Sequence, residues 1–425
     1  MIRKIAGVIL AFFCLQTIAQ RNDSSPYSSM GIGSEVEAKT VEEMSMGSVG
    51  TASNSYQLSF SNPASYAGLI ITNYTIAGEN RAYNFKDDNA KDNSSNAYLS
   101  YLAMGIPMGD RGGFAFGLNL NSTIGYEIQS QDVNEEGDVT RAAKFEGNGG
   151  TNRVFFGAGY EVFEGFSLGG EVEYYFGKAE KTVTEQLRDI NLGTRYYSNG
   201  RLDGFGFRVG AMYKKELNGG ITVAAGTTVS LENELEADTQ EYLYSIDLSE
   251  LRPRDTILDR EAKGMYTTPL KTAIGLHVGN SNKWGVSADY SFRKPIELSG
   301  SFGNYNPEFQ YESYSKVAVG GFLIPKYNSI SSYWDRISYR VGVKYVKTGL
   351  MTTGSDTPGS LTSINDFGIS FGFGMPIGRE YSKLNTSFEF GSRGTTDNGL
   401  TKENYFNFRL AIEFGSKWFR KYEIN

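Results

Sequence analysis

The chain has 425 residues, and its 41 basic against 48 acidic side chains leave a formal charge of −7, which argues against nucleic acid as the main partner. One cysteine and one histidine remove most thiol and metal chemistry, and no cofactor is expected. Only 40% of residues are hydrophobic while glycine numbers 51, Tyr 28 and Phe 27, a composition rich in strand formers and too poor in Leu, Ile and Val for a conventional soluble core.

Residues 1–19 read as a secretory signal: Arg3 and Lys4 are the basic start, Ile5 to Leu15 the apolar run, and Thr17-Ile18-Ala19 a small-residue cleavage site before Gln20. Cleavage there removes Cys14, so disulfides are not expected in the mature chain. Residues 20–65 are rich in Gly and Ser, yet they carry Met30, Ile32, Met44, Met46, Tyr56, Leu58 and Phe60. That much apolar material suits a compact hatch better than a disordered tail.

From 66 to 415 the dominant signal is period-two alternation, which puts large apolar residues on one face of a strand and glycine or charge on the other. Phe205, Phe207, Val209, Ala211 and Tyr213 alternate with Gly206, Arg208, Gly210, Met212 and Lys214; Phe406, Phe408, Leu410, Ile412 and Phe414 with Asn407, Arg409, Ala411 and Glu413. The runs are mostly longer than globular strands but suit a tilted crossing of a bilayer. Tyr and Trp gather near their ends, as in Tyr174-Tyr175, Tyr196-Tyr197 and Tyr333-Trp334. The fold expected is all-β, a transmembrane antiparallel β-barrel of about fourteen strands with the hatch inside. Runs at roughly 66–77, 96–108, 113–129, 151–163, 166–181, 201–216, 220–235, 267–279, 283–295, 313–325, 336–349, 361–377, 381–393 and 403–415 give that number. Connections after even strands are short, except near 326–335, and those after odd strands are long: 78–95, 130–150, 182–200, 236–266, 296–312 and 350–360. This parity predicts periplasmic termini in the outer membrane. A polar tail, 416–425, contains Lys417-Trp418-Phe419-Arg420-Lys421-Tyr422.

The glycine-bearing face of the strands carries a balanced set of charges: Arg153, Arg208, Lys214, Lys271, Arg293, Arg340, Lys344 and Arg409 against Glu127, Glu161, Glu171, Glu173, Glu232, Asp289, Glu389 and Glu413. Buried at such density they must pair, and a paired network holds a hatch as readily as it lines a route. A wide ion-selective pore would favour one sign. His277 faces the same side and reads as a structural hydrogen-bonding residue rather than a catalytic base, and Asp255, Asp259, Glu261 and Asp356 lack the spacing of a calcium loop. No enzyme is expected.

Asn62-Pro63-Ala64, closing the Gly-rich segment, resembles the Asn-Pro-Ala signature of the FadL-type long-chain fatty acid and aromatic-hydrocarbon transport barrels. Ser25-Pro26-Tyr27-Ser28, the run Tyr333-Trp334-Asp335-Arg336-Ile337-Ser338-Tyr339-Arg340-Val341-Gly342, Gly374-Met375-Pro376-Ile377-Gly378 and Lys402-Glu403-Asn404-Tyr405-Phe406 are similar to the Bacteroidota branch of that family. The resemblance implies a monomeric fourteen-stranded outer-membrane barrel closed by an N-terminal hatch, with outer-membrane lipid around it and a hydrophobic small molecule as ligand. Uptake of such molecules is the leading expectation. The alternative is a non-transporting barrel that serves as subunit or scaffold of an envelope secretion or barrel-insertion complex, with envelope proteins as partners. Asn62, Pro63 and Ala64 are the expected hatch junction: Pro63 fixes φ, and the Asn62 side chain can hold neighbouring backbone.

Overall fold

The computed structural model describes residues 23–52, 57–87, 91–247, 252–300, 309–356, 359–378 and 381–416. The signal segment 1–19 with Cys14, Gln20, Tyr56 and the tail from Lys417 onward lie outside the described residues.

One antiparallel sheet closes on itself with fourteen strands. The first six are β1 (Thr72–Lys86), β2 (Lys91–Met108), β3 (Gly112–Val133), β4 (Val139–Phe163), β5 (Phe166–Leu187) and β6 (Leu192–Leu217). The next four are each interrupted once: β7 (Ile221–Ser230, Asn233–Asp247), β8 (Arg252–Thr268, Lys271–Asn280), β9 (Trp284–Arg293, Glu297–Gly300) and β10 (Phe309–Tyr311, Tyr314–Leu323). The breaks in β8 and β9 fall at Pro269 and Pro295, which cannot donate to a ladder. The last four are β11 (Ser338–Thr353), β12 (Leu361–Pro376), β13 (Lys383–Arg393) and β14 (Lys402–Ser416). Closure is made by β14 against β1, in register from Lys402↔Lys86 to Ser416↔Thr72. No helix among the described residues is long and apolar enough to cross a membrane; strands make the crossing.

The outward wall is apolar, with Phe205, Phe207, Leu276 and Val341 exposed, while the neighbours Arg208, His277 and Arg340 turn into the lumen. Two expectations need correction. β1 begins at Thr72 rather than 66, because Asn62 caps a two-turn 3₁₀ helix, Pro63–Gly68, that still belongs to the hatch. The segments 78–95, 130–150, 182–200 and 236–266, expected as loops, are largely paired strand, with Tyr126 opposite Gly147, Lys181 opposite Ser198 and Glu241 opposite Arg260. Cross-strand charge such as Arg141 Nε to Glu185 at 2.6 Å takes over where apolar alternation stops, so the ladder outlasts the membrane-spanning pattern. β3 to β6 are 22, 25, 22 and 26 residues long, far beyond a ~9–11-residue crossing, and make one flank of the barrel tall.

The hatch runs from Asp23 to Ile71 inside the lumen. It contains a 3₁₀ turn at Pro26–Ser29, a two-residue bridge at Ser34–Glu35 against Ser122 and Thr123 of β3, and a single helical turn, Val41–Met44. That turn forms because Thr40 and Glu43 make a reciprocal capping box. Val41, Leu58, Phe60, Tyr66 and Leu69 pack against Tyr101 and Phe155 of the wall. Phe60 meets both rings edge-on, at centroid distances of 5.0 and 5.4 Å.

Candidate functional site

The hatch is held to the barrel by three sets of contacts. The first is backbone against glycine. A methyl on Gly169 would lie 2.3 Å from the Pro63 carbonyl carbon, and one on Gly210 2.0 Å from Asn62 Oδ1, so the Asn-Pro-Ala turn seats against strands that have no side chain there. Asn62 is fully buried. Its Oδ1 accepts from Ala64 N at 3.0 Å, and its Nδ2 donates to Thr51 O at 2.8 Å and to Ala211 O at 3.2 Å. One side chain thus caps the hatch turn, ties two hatch segments together and fastens both to β6. Pro63 supplies the first helical position, and Ala64, buried, leaves room for the close approach.

The second set is a buried four-charge cluster beside that turn. Register pairs Glu171 of β5 with Arg208 of β6, and Arg153 of β4 with Tyr175 of β5. Glu173, two residues from Glu171, therefore lies on the same lumenal face. Glu173 pairs with both Arg153 and Arg208, and Arg153 reaches Glu171 at 3.3 Å. The hatch joins the cluster twice: Arg208 Nη1 donates to Phe60 O at 2.8 Å, and the Tyr66 hydroxyl donates to Glu171 Oε2 at 2.8 Å. Burial, with the Glu171 carboxylate next to it, pushes the Tyr66 hydroxyl well above its ordinary value and keeps it a donor.

The third set joins hatch acids to barrel bases across β8 to β11. Glu35 pairs with Lys271 at 2.9 Å and Arg293 at 3.2 Å, Glu37 with Lys316, and Glu42 with Arg340 at 3.2 Å. Asp289 Oδ2 reverses the sense, accepting from Gly50 N, Thr51 N and Thr51 Oγ1 at 2.9, 3.0 and 2.8 Å. Burial alone would raise the Glu37 carboxyl, but Lys316, with Lys344 and Lys39 further off, holds it down to about 2. Burial acts the same way on Glu35, and Arg293 with Lys271 outweighs it, leaving that carboxyl well below the ordinary carboxylate range.

The remaining lumenal charges close on one another. Glu389 joins Lys344 at 2.7 Å and Arg409 at 2.5 Å, and Arg409 reaches Glu79 at 3.0 Å. Glu413 accepts from the hatch residue Gln57 at 2.6 Å. Lys214 is half-buried at the barrel end where β1 starts and β14 finishes, near Glu216 and Glu161. Two residues expected in the lumen are not there: Glu232 is exposed at the β7 interruption, and Glu127 is exposed on the tall flank, paired with Lys144 at 2.9 Å. Glu161 accepts from Gly165 N at 2.7 Å across a tight turn. Lys316 and the hatch acids Glu35, Glu37 and Glu42 were missed; the surplus of five acids over one lysine between residues 23 and 71 was the available signal.

His277, buried on the lumenal side, has Nδ1 2.8 Å from Ser287 Oγ. Among the described residues no group of His, Asp or Glu is arranged to hold a metal ion. Between hatch and wall lie two cavities of about 180 and 150 Å³. Glu35, Glu37, Arg293 and Tyr314 border both, so charged groups share the lining with apolar surface.

No curated protein matches this sequence. Among solved structures the chain is similar to a FadL homologue of Pseudomonas aeruginosa, with a TM-score of 0.61 and 13% identity over 90% of this chain and 99% of that one. It is also similar to the monoaromatic hydrocarbon channel CymD, at 0.57 and 14% over 92% and 100%. The toluene transporter TodX of Pseudomonas putida gives 0.55 and 14% over 91% and 99%. The chain therefore has the FadL-type outer-membrane barrel fold, hatch included, at a distance in sequence that leaves ligand and activity open. A family model described as BamG matches residues 1–425, the entire sequence, and the chain belongs to the BamG family.

Proposed function

We propose that this protein is a plugged outer-membrane barrel that serves as a non-transporting subunit of an envelope assembly or secretion complex, with both termini in the periplasm. The observation that carries the reading is the fixing of the hatch by cations on β6 and β8 to β11: Arg208 holds the Phe60 carbonyl, and Lys271, Arg293, Lys316 and Arg340 hold hatch carboxylates. Displacing such a hatch leaves the buried Lys316 and Arg340 without their carboxylates, at a cost of up to roughly 3–5 kcal/mol for each of those two pairs. A route for an apolar solute also needs a continuous apolar lining, and carboxylates with ammonium or guanidinium groups interrupt the lining of the lumenal cavities.

A second reading, passive uptake of hydrophobic small molecules, is favoured by the shared fold of FadL homologues, CymD and TodX. One comparison separates the two. Cells carrying Asn62→Ala or Pro63→Ala in an assembled barrel take up fatty acids or monoaromatics as well as wild type under the subunit reading, while the intact protein purifies from native membranes with stoichiometric protein partners. A tenfold loss of uptake, with the wild-type protein purifying alone, overturns it in favour of transport.

A further inference from the structure

Five residues on neighbouring strands form one row across the lumenal face. Arg208 of β6 stands opposite Ser230 of β7, Ser230 opposite Lys271 of β8, Lys271 opposite Arg293 of β9, and Arg293 opposite Tyr314 of β10. Directly opposed residues point to the same face, about 5 Å apart from strand to strand, so the three cations and two hydroxyls lie side by side. The Tyr314 ring steadies two of them, with Lys271 Nζ 4.6 Å and Arg293 Cζ 5.2 Å from its centroid. Just above this row the ladders stop: β7 and β8 pair again only at Asn233 with Thr268, and β8 and β9 at Thr267 with Glu297. All five residues border the cavity of about 180 Å³, and so do Leu231 and Pro269 in the breaks. The cavity thus reaches the wall at the level where the exposed Leu270 and Phe292 give way to the exposed Glu234 and Glu236.

Positive charge leads at this cavity. Six cationic side chains border it against three carboxylates, and six against five once Glu171 and Glu173, which hold Arg153 and Arg208 from behind, are included. Lys39 makes the difference, its Nζ donating to a hydroxyl, Ser61 Oγ, at 2.6 Å. Arg293 is buried, yet its Nε–H has no partner among the described residues. One hatch carboxylate, Glu35, answers both Lys271 and Arg293, at 2.9 and 3.2 Å. It is weakly placed to stay there. Its side chain is 43% exposed and borders both cavities, and its backbone is held by a two-residue bridge to Ser122 and Thr123, extended by Val36 N donating to Asn121 O at 2.9 Å. An ion pair with one exposed member contributes little, so a second anion can compete for the same cations.

We propose that Ser230, Lys271 and Arg293, with Arg208 beside them, form a binding site for a phosphate-type oxyanion, that Glu35 stands in this site for the ligand's oxygens, and that the ligand displaces Glu35 and frees the Ser34–Glu35 bridge from β3. A carboxylate spends its two oxygens on Lys271 and Arg293. A phosphate group has three oxygens and a second charge, so it can also engage the Ser230 hydroxyl and the Nε edge of Arg293. The excess of positive charge selects a dianion over a neutral solute. A soluble phosphate and the headgroup phosphate of a lipid lying against the breaks present the same group. The site does not rest on the subunit reading, since it belongs to the hatch and wall of a barrel of either function.

The test titrates the full chain in detergent with inorganic phosphate by calorimetry, with sodium chloride at equal ionic strength as the screening control, and follows hydrogen exchange of the Ser34–Val36 amides. Glu35→Gln removes the resident carboxylate and is expected to bind phosphate at least tenfold more tightly than wild type. Glu42→Gln removes the same charge from the pair with Arg340 and is expected to bind it as wild type does. Adding Lys271→Gln and Arg293→Gln to Glu35→Gln should abolish binding, with heat-modifiability reporting that the barrel is still assembled. In wild type, where no variant has to fold, saturating phosphate should speed exchange at Ser34–Val36 at least fivefold and leave the Asn62–Gly68 amides unchanged. Exchange in phosphatidylcholine nanodiscs with and without phosphatidic acid separates the two sources: a response to phosphatidic acid alone places the ligand on a lipid, and a response to free phosphate makes it soluble. Equal acceleration by chloride, equal tightening in Glu35→Gln and Glu42→Gln, or no response to either source overturns the site and leaves the proposed function untouched.

Discussion

At the scale of single residues, glycine and paired charge do the work that a ligand pocket would do in an open channel. Gly169→Ala forces a methyl into the Pro63 backbone, whereas a methyl on Gly170 meets nothing within 4 Å. The first should loosen the hatch and the second should not, read by hydrogen exchange of the Asn62–Gly68 amides. Arg208→Ala removes one of two cations from a pair of buried carboxylates, with an expected loss of about 3–5 kcal/mol in stability. Adding Glu173→Gln should recover part of that loss, because the uncompensated charge goes with it; thermal melting of the detergent-solubilised barrel measures both. The pH response follows from Glu37. Its carboxyl is held from an ordinary value of 4.5 down to about 2, so its contribution to docking is complete above 4.5 and fades as pH falls toward 2. The difference in hatch protection between wild type and Glu37→Gln should therefore be the same at pH 7 and pH 5.5 and fade only in strong acid. A difference that already shrinks at pH 5.5 would mean that Glu37 does not pair with Lys316.

At the scale of elements, the barrel closes without the hatch, since the β14–β1 register is complete by itself. Deleting residues 23–60 should therefore leave a heat-modifiable barrel and open a conducting lumen in planar bilayers; an unchanged low conductance would show that the wall itself is collapsed. The membrane-spanning strands were legible because lipid on one side and a crowded lumen on the other enforce alternation, as between Phe205 and Arg208. The upper halves of β3 to β8 were not legible. Beyond the lipid neither face must be apolar, and pairing rests on contacts such as Arg260 with Glu241 at 2.6 Å, which no single-strand pattern reveals. Of the candidate site, the barrel's half could be read from the charged face. The hatch's half could not, because Glu35 lies in a two-residue bridge, Glu42 in a single helical turn and Glu37 between them, all too short for a period to assign a face.

At the scale of the whole molecule, an even strand count puts both barrel termini at one end, with the turns at 109–111, 164–165 and 218–220, while the tall flank rises at the other. A tag inserted at Glu136 should be reachable from outside intact cells and one at Asn218 should not. Reachability of both would break the topology. The hatch also dictates an order of events. It precedes the wall in the chain, yet its anchors sit on strands made late: Asp289 on β9, Lys316 on β10 and Arg340 on β11. Closing contacts of such long sequence separation is slow. Until those strands are in place, Glu35, Glu37 and Glu42 remain without their cations, and the hatch has nowhere to settle. The plug is thus satisfied after the strands that follow it in the chain, and its docking reports that the wall from β8 to β11 has been built in the correct register.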